Sequence, residues 1–328
     1  MPDLLNIKDL KTWFHMHDHT VKAVNGVSLQ LGYGETLGIV GESGCGKSVL
    51  ALSVMRLVPS PAGKIESGSI LLEGKDLLTF PEERMRTVRG NKIGMIFQEP
   101  MTSLNPLYTV GSQIAESLVL HKKMQAGEAA GRTVEMLELV GIPSPRERVK
   151  EYPFQLSGGM RQRVMIAMAL ACEPLVIIAD EPTTALDVTI QSQILRLMRK
   201  FKETLNTSIM FITHDLAVIA GFADRVLVVY TGRVMETAPV KRLFAEPLHP
   251  YTKGLLASIP RPGYHKQDTG GSLQLLPVIK GNLPHPGDEP PGCCFAGRCS
   301  YVMEKCRLQE PPLYLPEEGR NVRCYLYE

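Results

Sequence analysis

The segment Gly41-Glu42-Ser43-Gly44-Cys45-Gly46-Lys47-Ser48 fills every fixed position of the pattern G-x-x-x-x-G-K-[ST], and each residue type in it suits the cradling of a polyphosphate. Glycines allow a tight turn whose successive N–H groups point inward at phosphate oxygens, through φ values that a β-carbon resists. Lys47 brings a point charge to the β- and γ-phosphates. Ser48 offers a hydroxyl to Mg²⁺, a hard cation that takes oxygen ligands in octahedral array. Far downstream, Asp180 ends the apolar run Leu175-Val176-Ile177-Ile178-Ala179 and supplies the carboxylate that such a metal needs, directly or through water. Glu181 follows it, placed to polarise an attacking water. A second glycine motif, Leu156-Ser157-Gly158-Gly159-Met160, lies between them in the chain. Each motif alone also fits an ordinary turn or helix cap; the ordered set points to ATP hydrolysis.

These groups need particular elements to hold them. Thr36 to Val40 predicts a short buried strand ahead of the glycine loop, and Val49 to Met55 a helix after it, whose N-terminus presents free N–H groups and the positive end of its dipole. Residues up to about 98 and from about 171 to 240 alternate β-branched runs with helical stretches, the pattern of a parallel α/β core. Between them, about 104–165, Gly111 to Leu120 and Ala129 to Val140 carry helical spacing and predict a helical insertion. No internal repeat is present, so one chain carries one set of these motifs.

Composition agrees with a globular enzyme. The chain has 328 residues, 44% of them hydrophobic, with a formal net charge of +2 from nearly balanced acids and bases, so a large nucleic-acid surface is not indicated. No apolar run approaches the length that crosses a bilayer, and the N-terminal residues lack the pattern of a signal peptide.

Over roughly residues 4–240 the chain resembles the nucleotide-binding subunits of ABC transporters. The mark is Leu156-Ser157-Gly158-Gly159-Met160-Arg161-Gln162-Arg163, close to the usual L-S-G-G-Q with Met160 in place of the glutamine. The resemblance implies a P-loop NTPase core of ABC type in residues 1–240, with ATP phosphates on Gly41, Glu42, Ser43, Gly44, Cys45, Gly46, Lys47, Ser48 and Val49. Phe14, beside Trp13, looks like the aromatic that stacks on adenine. Gln98 resembles the glutamine that senses Mg²⁺ beside Ser48 and Asp180, and His214 the switch histidine that positions Glu181 and the water. Ser157, Gly158 and Gly159 are implied to bind the γ-phosphate of ATP held by a partner subunit, and Asp187 resembles the subunit-contact aspartate. Glu99 to Pro106 is the expected docking segment for membrane subunits.

Beyond about residue 240 the chain turns rich in proline and glycine, from Pro247-Leu248-His249-Pro250 through Pro260-Arg261-Pro262-Gly263 and Pro284-His285-Pro286-Gly287 to Pro290-Pro291-Gly292, which reads as extended linker. Residues 241–328 resemble the C-terminal extension of ATPases serving dipeptide, oligopeptide and nickel importers. That implies a related second ATPase, two permeases, an extracytoplasmic substrate-binding protein, and a peripheral position on the cytoplasmic face of the cell membrane. A nickel or other small-solute importer of the same subfamily, and a soluble ATPase with a redox-sensing tail, remain as alternatives. Cys293, Cys294, Cys299, Cys306 and Cys324 crowd the extension, spaced C-x5-C-x6-C-x17-C from Cys293. Four thiolates suit zinc or an iron–sulfur cluster. Some peptide-importer ATPases with this pattern carry a [4Fe–4S] cluster, which implies Cys293, Cys299, Cys306 and Cys324 as ligands, with Cys294 an extra thiol or a rival to Cys293. Cys45 and Cys172 read as structural.

Overall fold

A computed structural model describes residues 3–99, 103–184, 187–259, 277–285 and 287–328. Residues 100–102 of the expected docking segment, Ala185 and Leu186 before Asp187, and 260–276 and Pro286 of the proline-rich stretch lie outside the described residues.

Two sheets organise the chain. An antiparallel one joins β1 (Asp3–His15), β2 (Thr20–Gly32), β4 (Gly63–Leu72) and β5 (Lys75–Asp76) in the order β2-β1-β4-β5. The other contains β3 (Thr36–Val40), β6 (Ile93–Ile96), β7 (Val176–Asp180), β8 (Ser208–Thr213), β9 (Arg225–Tyr230), β10 (Arg233–Pro239), β11 (Tyr314–Glu317) and β12 (Arg320–Val322), in the order β11-β12-β10-β9-β3-β8-β7-β6. From β9 to β6 every pairing is parallel. Here β3, β7 and β8 are buried along their whole length, as central strands covered on both faces must be.

The expectation of a parallel core thus holds for β9, β3, β8, β7 and β6 of the second sheet, while β10, β11 and β12 pair antiparallel. Residues 16–19 join β1 to β2, far too few for a crossover, so the pair has to be antiparallel. The signal was present in β2, where Val27, Leu29 and Leu31 are buried and Ser28 and Gln30 exposed.

Successive residues of the central strands feed two cores. Ile39, Ile178, Met210 and Ile212 face the antiparallel sheet and the buried side of helix α1 (Lys47–Val54), while Val40, Ile177, Ile209 and Phe211 face the opposite core. That second core is covered by α2 (Val110–Lys122), α3 (Ala126–Leu139), α4 (Gly158–Leu170), α5 (Val188–Leu205) and α6 (Leu216–Phe222). Side-chain caps start four of these helices: Thr109, Ser157, Asp187 and Asp215 each accept a first-turn N–H.

The tail is not an extended linker throughout. Pro250 opens helix α7 (Pro250–Ala257), a first-turn position where the missing N–H costs nothing. The β11–β12 hairpin then returns to pair with β10, opposite Glu236 and Thr237. Phe295 packs against Tyr230 and Tyr251, each with ring centroids 5.3 Å away, and against His249 at 5.8 Å. Glu236 is fully buried and accepts the N–H groups of Leu248 and His249 at 2.9 and 2.8 Å, fastening the chain's exit from β10.

Burial pulls the His249 imidazole from 6.5 to about 3; Lys253 adds to this, and a backbone contact with Arg323 opposes it. A folded value below the unfolded one means stability that is full above 6.5 and lost as pH falls toward 3. His249→Asn keeps an acceptor for the Tyr251 N–H and removes the titration. Urea unfolding at pH 7 and pH 4.5 should show the wild type losing more stability between the two than the variant does.

Candidate functional site

The glycine loop is wedged between backbone strands. Gly46 caps α1 at φ 101°, and a Cβ there would lie 1.9 Å from the Ala23 carbonyl oxygen; at Gly41 one would lie 2.2 Å from that of Val229. Inside the loop, the buried Lys47 donates from Nζ to the carbonyl oxygens of Gly41 at 2.8 Å and Glu42 at 3.0 Å. Its ammonium is therefore held at the loop's own mouth, where phosphate oxygens can replace carbonyls as acceptors. Ser48 and Val49 form the first turn of α1 with Lys47. Cys45 is buried, with its thiol pushed up by that burial, and its carbonyl accepts the Gly232 N–H at 2.8 Å, as a structural residue would.

Strand register brings the remaining groups to this loop. Val40 pairs with Thr213, Asp180 with Ile212, and Ala179 with Ile96, so β3, β8, β7 and β6 end side by side. Ser48 Oγ donates to Asp180 Oδ1 at 3.1 Å, joining positions 132 residues apart. Burial raises the Asp180 carboxyl, the Glu181 charge adds to this, and the Ser48 bond and Lys47 work against it.

Glu181 stands in the left-handed region at φ 47°, uncommon for a residue with a side chain, and its N–H donates to Ile212 O at 2.9 Å. That conformation sends its buried carboxylate into a ring of partners. Gln98 Nε2 donates to Oε2 at 3.2 Å, Thr184 Oγ1 to the same oxygen at 2.9 Å, and His214 Nδ1 stands 3.2 Å from Oε1. His214 is half exposed.

Other expected residues stand apart from this group. Ser157 accepts the Met160 N–H at 3.3 Å, and it and Gly158 are solvent-exposed at the start of α4. Gly159 is partly covered, with Ile190 of α5 beside it. Asp187 caps α5 through the Ile190 N–H at 2.9 Å. The aromatic pair of β1 divides. Phe14 turns to Gly63, whose added Cβ would lie 2.8 Å from its ring, while Lys22 Nζ sits 5.3 Å from the Trp13 centroid. Cys294 Sγ lies 3.8 Å from Met235 Sδ. Burial chiefly pushes the Cys293 thiol up to about 12, with Cys294, Cys306 and Cys324 adding to it; burial also raises Cys299 and Cys324, and Cys306 adds to each. Among the described residues no three His, Cys, Asp or Glu side chains converge on a position for one metal ion.

Four contributors carried no sequence signal: Thr184 on Glu181, Gln162, whose Nε2 donates to Pro182 O at 2.6 Å and ties α4 to the Glu181 turn, and Tyr251 and Arg298, both on Glu42. Their partners are reached only through folding; no spacing rule links residues 42 and 298.

A phosphate loop at the end of β3, facing a carboxylate pair and a histidine from neighbouring strand ends, defines an ABC-type ATPase cassette. Residues 24–184 match the family described as ABC transporter, and residues 235–306 the family described as Oligopeptide/dipeptide transporter, C-terminal region. The chain is 53% identical to the oligopeptide transport ATP-binding protein AppD of Bacillus subtilis, covering 100% of this chain and 98% of that one. It is 51% identical to the oligopeptide transport ATP-binding protein OppD of the same organism, over 98% of this chain and 88% of the relative. Among solved structures, the dimeric post-hydrolysis state of the ATP-binding cassette MJ0796 bound to ADP and Pi superposes with a TM-score of 0.65 at 28% identity, over 72% of this chain and 98% of that one. The chain belongs to the ABC transporter ATP-binding proteins, in the branch that carries the oligopeptide/dipeptide transporter C-terminal region.

Because the folded-state pKa of Asp180 is raised above 3.8, its ionisation costs stability; the cost grows as pH rises through the folded value and persists at neutral pH. Asp180→Asn should therefore raise the nucleotide-free melting temperature at pH 7 by about 2 °C or more. The same variant should lose most of the further rise that Mg-ATP gives the wild type, which thermal melts with and without Mg-ATP will read.

Proposed function

We propose that this chain hydrolyses ATP as the cytoplasmic ATP-binding subunit of a peptide importer, and that the turnover chemistry rests on the clasp around Glu181. The single observation that carries the reading is that one carboxylate is met by Gln98, Thr184 and His214 next to the Ser48–Asp180 pair. Lys47 and the loop N–H groups hold the β- and γ-phosphates. Ser48, Asp180 and Gln98 would hold Mg²⁺, which would supply charge neutralisation at the phosphates. Glu181 accepts a proton from the attacking water, while Gln98, Thr184 and His214 hold its carboxylate in one orientation. Phe14 stacks on the base.

Ser157, Gly158 and Gly159 complete the site of a second ATPase subunit, and Asp187 contacts that subunit. Exposure of Ser157 and Gly158 at a helix N-terminus supports this, as does the dimeric state of the cassette it resembles. Two permeases dock on the helical insertion, about 104–165, beside the segment beginning at Glu99. Leu107 and Tyr108, 80% and 58% exposed just beyond that segment, give this face apolar contact area. The cargo class follows the oligopeptide and dipeptide transport relatives, with an extracytoplasmic binding protein delivering it. Residues 1–240 act as the nucleotide unit and 241–328 as the extension.

Cys293, Cys299, Cys306 and Cys324 fit a [4Fe–4S] cluster by donor chemistry: four tail thiols, three of them buried, with Cys306 acting electrostatically on Cys293, Cys299 and Cys324, and with Cys294 the rival of Cys293. Thiols held neutral by burial ionise when a metal centre takes them, and such a cluster would cross-link the tail.

Glu181→Gln should keep Mg-ATP binding and cut turnover by about 10²-fold or more. The assay needs a second subunit whose own Glu181 equivalent is silenced, and retained turnover there would remove the base assignment. For the tail, anaerobic purification should yield about four iron and four acid-labile sulfide per chain. Cys299→Ser should abolish both; zinc without sulfide would replace the cluster reading.

A further inference from the structure

Glu42, the second residue of the phosphate loop, is gripped from the far end of the chain. Its carboxylate lies 2.8 Å from Arg298 Nη1, and its N–H donates to the Tyr251 hydroxyl at 2.9 Å. Both partners are built in. The Arg298 side chain is only 9% exposed, and its other donors reach Lys280 O at 3.1 Å, Ile279 O at 3.4 Å and the Tyr230 hydroxyl at 3.4 Å. Tyr251 is fully buried, with its ring 4.7 Å from that of Tyr230 and 5.3 Å from that of Phe295.

The charge at position 42 is what makes the contact more than a tail fastener. A carboxylate inside a loop shaped for phosphates repels the anion the loop is meant to hold, and in a partly dry site that repulsion is poorly screened. Arg298 offsets it with an opposite charge whose planar fork is locked by three further acceptors, while Tyr251 holds the backbone at the same residue. Arg298 also stands immediately before Cys299, so the cysteine-bearing turn and the loop are joined through one side chain.

We propose that Arg298, with Tyr251, is a positioning residue for ATP: it neutralises Glu42 and sets the entrance of the phosphate loop, so that the C-terminal extension governs nucleotide affinity. This rests on the reading of the loop as an ATP site. A merely structural tie would lower thermal stability without any dependence on the charge at position 42.

The test uses the full-length chain and Mg-AMP-PNP titration, with melting temperatures and the split of KM against kcat in the assembled transporter. Arg298→Gln should weaken nucleotide binding by roughly tenfold, chiefly in KM, with the defect shrinking at high salt. Adding Glu42→Gln to Arg298→Gln should restore most of the affinity, because the repelling charge is gone although the tie is still broken. Arg298→Lys should recover part of it. If Arg298→Gln does not fold, Arg298→Lys and Tyr251→Phe carry the test, each expected to weaken binding by a few fold, with Tyr251→Phe also lowering the melting temperature by leaving the Glu42 N–H without its acceptor. Wild-type affinity in Arg298→Gln, or a double variant as weak as the single one, overturns the proposal; in the fallback pair, unchanged affinity does so. Failure of the wild type itself to bind Mg-AMP-PNP would instead overturn the ATP reading.

Discussion

Four parallel strand ends lying at one level form the constraint on which this molecule depends. The pairings of Val40 with Thr213, Asp180 with Ile212 and Ala179 with Ile96 place the phosphate loop, His214, the Asp180–Glu181 pair and Gln98 at the same edge of one sheet. Open α/β sheets bind ligands beyond the carboxyl ends of their strands because loops and helix N-termini meet there. A slip of one residue in β7 would exchange its two faces and move Asp180 away from Ser48. The apolar residues that feed both cores in alternation are what prevent such a slip, so core packing and site geometry are one requirement.

Gathering charge at that edge has a thermodynamic cost, and the residues divide it unevenly. Lys47, Asp180 and Glu181 are all buried. Lys47 is satisfied by carbonyls of its own loop and Glu181 by three side-chain partners, whereas burial leaves Asp180 with a raised carboxyl. Glu181 also carries a left-handed backbone conformation that its N–H bond to Ile212 helps to maintain. Strained and under-solvated groups concentrate at this one edge of the sheet, as perturbed groups do at functional sites.

The C-terminal extension shares this economy of position. It adds β11 and β12 to the edge of the central sheet, fills the second core with Phe295, and reaches Glu42 through Tyr251 and Arg298. Among its described prolines, Pro250 opens a helix and Pro316 lies in β11, the edge strand of the sheet, positions that tolerate a missing N–H.

Much of the site was legible in the order of residues because its motifs are local. The glycine loop, the Asp180–Glu181 pair at the end of an apolar run and the Ser157 cap each depend on neighbours within a few positions, and β3, α1 and β7 arise where those patterns predict them. What tertiary structure alone decided is whatever depends on distant segments meeting: the antiparallel pairing of β1 with β4, the return of the tail to β10, and the contacts of Thr184, Gln162, Tyr251 and Arg298. Residue type and spacing encode what a turn or a helix end can do, since backbone geometry is set within a few bonds. Which distant side chain completes it is set by the packing of whole faces, a property of the folded chain as a unit.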